Sequence, residues 1–215
     1  MFKFHPRVLI ALCVGVLAGL VVGGASIATG DKDDAAFKAR AKIMNPAGKQ
    51  IGEATFRQRS ATNGQPTPLV DVSVRVKGLP PRAGPNPNER GFHVHDTRSC
   101  EAPGFSSAGG HFDTGPAKNS EPVDFNHPYH LGDLPNLRRN NDGVFRMRTT
   151  TSRFTIQPGH PTTLFDGDSA AVIVHQRQDV GNRQAPGQQG VPESGTAGGA
   201  RDACGLVEMQ RPDDD

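Results

Sequence analysis

The sequence predicts an all-β fold, a Greek-key β-barrel or sandwich of about eight antiparallel strands with two long functional loops. Of its 215 residues, 26 are glycine and 18 are proline, which argues against a helical bundle or a long coiled coil. Several short segments alternate apolar with polar residues, as half-buried strands do. Turn-forming residues separate these segments, a pattern that is typical of sandwiches and barrels.

The first 29 residues differ from the rest and predict export. Lys3 and Arg7 precede an uncharged, mostly apolar stretch at 8–29, as in a signal peptide or an N-terminal membrane anchor. Small residues at 26–28 would allow cleavage, so removal and retention both stay open. The basic residues before the stretch place the following chain outside the cytoplasm in either case. We therefore divide the chain into a signal peptide or anchor (1–29), a polar linker (30–36), one domain (37–211) and an acidic tail (212–215).

Seven segments of the domain are predicted strands. The clearest is 69–77, where four valines alternate with Asp71, Ser73, Arg75 and Lys77, so that one face is buried and the other is wet. The turn-forming sequence Asn-Pro-Ala-Gly at 45–48 predicts that the first two strands form a hairpin. The predicted strands are 37–44, 51–59, 69–77, 91–96, 144–156, 170–175 and 206–209, the last of which would close the sheet.

Two segments, 97–143 and 176–203, are rich in turn-forming residues and show little periodicity. Loops of this length in a compact domain are usually functional or disordered. The exported part holds a cysteine pair, Cys100 and Cys204, which in an oxidising compartment usually forms a disulfide. A disulfide would help to order the first of these loops.

The charges are balanced, with 24 Lys and Arg against 22 Asp and Glu and a formal charge of +2. No run of basic residues is present. Charge along the sequence therefore favours no polyanionic partner, and we expect no nucleic-acid binding.

The histidines indicate a metal centre. His93 and His95 flank one residue of a predicted strand, so the pleat points both rings to one face about 7 Å apart. His175 ends another apolar strand, and a second group of candidate ligands follows at His127, His130 and Asp133. Imidazoles with one carboxylate suit zinc or copper, not calcium or magnesium. His160, in a Gly-His-Pro context, is interpreted as a surface turn residue.

Five segments together resemble the copper–zinc superoxide dismutases, in that family's order. They are GFHVHD (91–96), SAGGHFD (107–113), HLGDLPN (130–136), VIVHQRQD (172–179) and GTAGGARDACG (195–205). The resemblance covers about residues 37–209. It implies a Greek-key barrel with copper and zinc as cofactors, superoxide as the substrate, and dioxygen and hydrogen peroxide as products.

The resemblance also implies residue roles. His111 would bridge the two metals and transfer a proton, and Arg201 would dock superoxide, so these are the expected catalytic residues. Asp179 would hydrogen-bond a copper-binding and a zinc-binding histidine. Cys100 and Cys204 match the family's disulfide. The expected copper ligands are His93, His95, His111 and His175, and the expected zinc ligands are His111, His127, His130 and Asp133.

One departure concerns zinc. The family usually places a zinc histidine in a Lys-His-Gly context between the bridging histidine and the HxGD segment, whereas this chain has Lys118, Asn119 and Ser120 there. We assign the role to His127, the other histidine of this loop outside the matched segments. The alternative is an incomplete or altered zinc site with His127 as an ordinary loop residue.

Two functions follow from the resemblance. The first is an exported copper–zinc superoxide dismutase. The second is a non-catalytic dismutase-like domain that binds copper or zinc. The presence of all four expected copper ligands and of Arg201 favours the enzyme, while the altered zinc loop keeps the second function open. Membrane contact is expected only through 8–29 if this stretch is retained, and a homodimer stays open.

Overall fold

A computed structural model of the chain describes residues 35–60, 68–82, 86–114, 130–167, 170–181 and 197–210. The predicted export segment, the acidic tail and His127 lie outside the described residues. The part of the chain that is described contains no helix long and apolar enough to cross a bilayer.

The all-β prediction is confirmed. The described residues form ten strands and one short 3-10 helix, Ser106–Ala108. The strands are β1 (Ala35–Met44), β2 (Gln50–Arg59), β3 (Val70–Val76), β4 (Glu89–Arg90), β5 (Phe92–His95), β6 (Leu137–Arg139), β7 (Phe145–Thr151), β8 (Ala171–His175), β9 (Arg201–Leu206) and β10 (Glu208–Met209).

All ten strands belong to one antiparallel sheet that almost closes into a barrel. Its order is β4-β6-β7-β3-β2-β1-β9-β8-β5, and β10 pairs with β1. The strands at the two ends of this order, β4 and β5, are separated in the chain by Gly91 alone. The two edges of the sheet therefore meet at this residue, beside the first candidate ligand.

The strands form where the apolar alternation is regular. In β3, Val70, Val72, Val74 and Val76 are at most 2% exposed and point into the core, as predicted. β3 pairs with β2 on one side and with β7 on the other. Among the buried side chains of this core is Phe56, whose ring packs edge-on against that of Phe154 at 6.2 Å between centroids.

The observed boundaries differ from the predicted ones where the periodicity is weak. β1 begins at Ala35, two residues before its predicted start. The first long loop contributes β6, which is too short to show alternation in the sequence. The segment predicted at 206–209 is observed as parts of two strands, of which β9 begins already at Arg201, because pairing with β8 carries Gly205 into the sheet despite its low strand propensity.

The disulfide between Cys100 and Cys204 ties the loop after β5 to β9, with the two Cα atoms 5.7 Å apart. Cys204 is fully buried in a small apolar cluster on the side of β8 and β9 away from the main core, together with Phe105, Ala108 and Ile173. The bond closes a sequence separation of 104 residues. It therefore removes much conformational freedom from the unfolded chain.

The substitution Cys204→Ser is expected to lower the free energy of unfolding by about 4 to 5 kcal/mol, the chain-entropy value for a loop of about 100 residues. Urea unfolding of the oxidised protein measures it, and chemical reduction should reproduce the loss. Cys100→Ser should cost as much, because it removes the same bond. Equal stability of Cys204→Ser and the parent would contradict the expectation.

Candidate metal centre

The fold brings the candidate ligands into two adjoining clusters. In the first cluster, one potential ligand atom from each of His93, His95, His111 and His175 lies within 4.8 Å of the others. In the second cluster the same holds for His111, His130 and Asp133. All six residues are buried, the most exposed being Asp133 at 7%. His111 belongs to both clusters, so two ions held there would share one imidazole.

The pleat of β5 and β8 positions three of these rings. His93 pairs with Ile173 and His95 with Ala171, so both histidines point away from the core that receives Val94. His175 ends β8, and its N–H donates to the Gly91 carbonyl at 2.9 Å. The His93 and His175 ring centroids lie 4.8 Å apart.

The remaining ligands come from two loop segments that pair with the outer edge of β5. His111 lies opposite His95, and Asp133 lies opposite His93, each in an antiparallel bridge. The Val94 N–H donates to the Gly132 carbonyl at 2.9 Å, and the Val94 carbonyl accepts from the Phe112 N–H at 2.8 Å. Main-chain pairing therefore fixes the loop ligands in register with the strand ligands.

Gly132 makes this pairing possible. A Cβ atom at this position would lie 2.2 Å from the Val94 carbonyl oxygen and 3.1 Å from Phe112. The nearest obstacle, the Val94 carbonyl oxygen, is a main-chain atom, so no change of side-chain rotamer could relieve the clash. The position between His130 and Asp133 therefore requires glycine.

Hydrogen bonds select the ligand nitrogen on two of the histidines. The Nδ1–H of His95 donates to the Gly109 carbonyl at 3.0 Å, and that of His175 donates to the Gly199 carbonyl at 2.7 Å. A carbonyl only accepts, so the hydrogen of each neutral ring is on Nδ1 and the lone pair is on Nε2. Both Nε2 atoms are buried without a hydrogen-bond partner among the described residues. A metal ion would satisfy them, so this donor set fits copper or zinc.

Carboxylates orient two further rings. His93 Nε2 lies 2.8 Å from Asp179 Oδ2, which directs its Nδ1 to the cluster. His111 Nδ1 lies 2.6 Å from Asp133 Oδ1, and the other carboxylate oxygen accepts from the His130 N–H at 2.9 Å. The opposite nitrogen of His111, Nε2, is therefore the one available to the first cluster.

Burial keeps these histidines neutral, which is the form that binds metal. It lowers the pKa of His93 to about 4, with the charge of His111 adding to the effect. The pKa values of His95 and His175 lie well below the usual 6.5, mainly because these side chains are also buried. Nearby Arg201 contributes to lowering both of these pKa values.

Arg201 lies opposite His175, at an irregularity in the β8–β9 register. Its guanidinium donates to the Phe105 carbonyl at 2.5 Å and to the Gly109 carbonyl at 2.6 Å. Gly109 also accepts the His95 hydrogen bond, so a single carbonyl links the arginine to a candidate ligand. The charge of Arg201 is thus fixed in place beside the first cluster.

Sequence reasoning missed two residues that support the site. The Asn136 side chain donates to the Asp179 carbonyl and accepts from the Asp179 N–H, both at 2.8 Å. Arg153 donates to the His130 and Asp133 carbonyls at 3.1 and 3.2 Å. Asn136 lies in a matched segment and could have been chosen, whereas Arg153 follows a strand with no motif around it.

The structure places His160 in neither cluster. It lies in a half-buried turn, where its Nδ1 accepts from the Thr162 N–H at 3.2 Å. This agrees with its interpretation as a turn residue. His127 lies outside the described residues, so its assignment to zinc stays a prediction.

An antiparallel barrel with two adjoining histidine-rich clusters on its outer side defines a metalloprotein with two neighbouring ion sites. The sequence profile of copper/zinc superoxide dismutase matches residues 50–207. The chain therefore belongs to this family, as the resemblance indicated, and copper and zinc are the cofactors of the family.

Individual relatives agree. Superoxide dismutase [Cu-Zn] of Deinococcus radiodurans is 32% identical over 179 residues, which cover 79% of this chain and 83% of that protein. The superoxide dismutase-like protein YojM of Bacillus subtilis is 30% identical over 149 residues, 68% of each chain. The crystal structure of a SOD-like protein from Bacillus subtilis matches with a TM-score of 0.56 at 28% identity, covering 80% of this chain and 99% of that one.

The substitution Gly132→Ala is expected to push the 130–133 segment off β5, because the added methyl group meets the Val94 carbonyl. We expect a loss of about 2 kcal/mol or more in unfolding free energy and weaker zinc binding. Thermal unfolding and zinc titration measure the two effects. Gly104→Ala is the matched control, since a Cβ there meets nothing within 4 Å. Unchanged zinc affinity of Gly132→Ala would refute the role of this close approach.

Proposed function

We propose that this chain is an exported copper–zinc superoxide dismutase. The observation that supports it most strongly is the imidazole shared by two buried clusters, next to a fixed guanidinium. In this proposal the first cluster, His93, His95, His111 and His175, binds copper. The second cluster, His111, His130 and Asp133, binds zinc with His127 as the fourth ligand.

The chemistry that bound copper supplies is one-electron transfer in both directions, so that superoxide and protons become dioxygen and hydrogen peroxide. The protein residues hold the ligand geometry and handle the proton. His111 can hold a proton at Nε2, the nitrogen that faces the first cluster, and deliver it to the reduced oxygen species. Asp133 Oδ1 lies 2.6 Å from His111 Nδ1, so both atoms would bind the zinc ion, and this shared ion would keep the ring in the required orientation.

Arg201 is the proposed docking group for the superoxide anion. Guanidinium stays protonated at every physiological pH, so its attraction for an anion does not titrate. Its two carbonyl contacts prevent the side chain from swinging away. The anion is thereby directed to a position beside His175, which lies opposite Arg201 in the β8–β9 pair.

Asp179 and Asn136 are proposed to keep His93 in place. The carboxylate holds the His93 ring through Nε2, and the Asn136 amide clamps the main chain of Asp179. Because Asn136 follows Asp133 closely in the chain, this clamp joins the loop of the second cluster to a ligand of the first. Outer contacts of this kind commonly alter metal affinity when they are removed.

The second candidate function is a domain that binds metal without turning over superoxide. The relative from Bacillus subtilis that is named a superoxide dismutase-like protein is the reason to consider it. The present chain, however, keeps four clustered histidines and the arginine. The export part of the proposal is supported by the disulfide, which is typical of oxidising compartments. It is supported further by the apolar stretch at 8–29.

Metal analysis together with superoxide consumption tests the function. The full chain is expected to bind about one copper and one zinc and to consume superoxide. His175→Ala should lose copper and activity while keeping zinc. His127→Ala should lower zinc content, and unchanged zinc would refute its assignment. Copper bound in full without turnover would favour the second candidate.

The conservative substitution Arg201→Lys tests the docking role. A lysine keeps the positive charge but cannot donate to the Phe105 and Gly109 carbonyls in the same fork geometry. We expect superoxide consumption to fall about tenfold, with copper and zinc content unchanged. The substitution Arg98→Lys, on an exposed loop arginine, should leave the rate alone. A wild-type rate for Arg201→Lys would exclude docking by a fixed guanidinium.

A further inference from the structure

Strand β9 contains one residue more than regular pairing with β8 requires. Ala203 lies opposite Val174, whereas the next residue of β8, His175, lies opposite Arg201. Asp202 is therefore the extra residue of a β-bulge, in which two residues of one strand face one residue of the other. A bulge of this kind changes the direction in which a neighbouring side chain points.

The bulge decides which charge lies beside the first cluster. Side chains two residues apart in a regular strand point the same way, and Ala203 belongs to the main core. Without the bulge, Arg201 would therefore point toward that core, and Asp202 would take its place opposite His175. A carboxylate would then stand where the structure has a guanidinium. An anionic substrate would be repelled there instead of attracted.

Main-chain pairing continues beyond the bulge. The Gln176 N–H donates to the Ala200 carbonyl at 2.7 Å, and the Arg177 N–H donates to the Gly198 carbonyl at 2.9 Å. The bulge is therefore enclosed by paired main chain on both sides. The Asp202 side chain supplies a further contact at its centre.

That contact is an ion pair with Arg82, which lies in the chain between β3 and β4. The Arg82 Nε donates to Asp202 Oδ2 at 3.2 Å, and a terminal nitrogen of the same guanidinium donates to Oδ1. The Asp202 side chain is 4% exposed and that of Arg82 is 33% exposed, so a buried carboxylate is neutralised by a residue 120 positions away. The pKa of Arg82 is raised, mainly by this hydrogen bond. A two-pronged pair of this kind fixes orientation as well as distance.

A second arginine, Arg90, is buried near this pair. It is 1% exposed, and its guanidinium donates to the Pro87 and Glu89 carbonyls at 3.0 and 2.9 Å. Burial lowers the pKa of Arg90, and the charge of Asp202 opposes this effect. The negative charge of Asp202 is thus felt by two arginines. The surroundings of the bulge therefore favour a carboxylate and would repel a third guanidinium.

We propose that Arg82 and Asp202 are positioning residues for Arg201. Their ion pair keeps Asp202 as the extra residue of the bulge, so that Arg201 lies beside His175 and reaches its two carbonyl partners. This role depends on the proposed function, in which Arg201 docks the anion. Arg82 lies outside the segments that resemble the family, so the pair brings a residue of the β3–β4 connection into the control of anion binding.

Azide binding to the copper-loaded full chain, followed by visible absorption, reports the position of the guanidinium without turnover. Asp202→Asn separates positioning from charge alone, because the two effects have opposite signs. Removal of a negative charge next to Arg201 would strengthen azide binding if only charge mattered. Displacement of Arg201 should instead weaken azide binding about threefold or more.

Arg82→Lys keeps the positive charge but cannot form the same fork. It should weaken azide binding about threefold or more in the parent and have little effect in the Arg201→Lys background, where the guanidinium is already absent. The matched control is Arg59→Lys, because Arg59 forms the same kind of fork with Asp71. This control should bind azide as the parent does. Copper content and thermal unfolding show that each variant is folded and loaded.

Hydrogen exchange of the metal-free protein gives a second measurement of the bulge. The Gln176 amide, which pairs beside the bulge, should exchange about tenfold faster in Arg82→Lys than in the parent, because loss of the fork loosens the local pairing. Arg59→Lys should leave this exchange rate unchanged.

Three results would overturn the proposal. The first is azide affinity of Asp202→Asn that equals or exceeds that of the parent. The second is an equal effect of Arg82→Lys with and without Arg201→Lys, and the third is unchanged exchange at Gln176. A copper-loaded chain that shows the expected effects but consumes no superoxide would support the positioning role and refute the proposed enzyme, so the two failures are distinguishable.

Discussion

The outer edge of β5 is the constraint on which the metal centre depends. β8 pairs with one edge of this four-residue strand, and the other edge would expose main-chain groups if the loops did not cover it. Phe112 and Gly132 provide the missing hydrogen bonds to Val94. Satisfying this edge is the same event that sets His111 and Asp133 opposite the strand histidines. Backbone pairing and ligand assembly are therefore coupled in one structural element.

Specific contacts also fix the positions of residues that lie in the irregular segments after β5 and β8. The loop after β5 is held by the disulfide to β9 and by the guanidinium of Arg201, which donates to two of its carbonyls. The loop after β8 is held by the Asn136 amide at Asp179. Covalent and polar contacts replace the periodic hydrogen bonding that a strand would provide. This explains how loops rich in glycine and proline can keep imidazoles within ligand distance.

The extent to which this architecture follows from sequence depends on the element. β3 could be predicted almost to the residue, because its valines alternate strictly and one face is wet. The His93 and His95 pair could be assigned to one face because side chains two residues apart in a strand point the same way, although all of β5 is buried. β6 and the start of β9 could not be predicted, since tertiary pairing, not local propensity, makes Leu137 and Arg201 part of the sheet. Arg153 was missed because its partners are main-chain carbonyls, which have no residue signature.

The same physics explains why the chain seemed electrostatically unremarkable. In a strand, outward residues are two apart, so each basic residue is followed by a core residue, and the local composition stays mixed. Only the register of β3, β7 and β6 places Arg75, Arg146 and Arg138 in a row. The same fold gives each of these arginines a carboxylate: Glu53 lies opposite Arg75, Asp142 pairs with Arg146 and Glu89 pairs with Arg138. The charge balance of a sheet face therefore cannot be read from the sequence, because the period of two must be combined with a register that only the fold supplies.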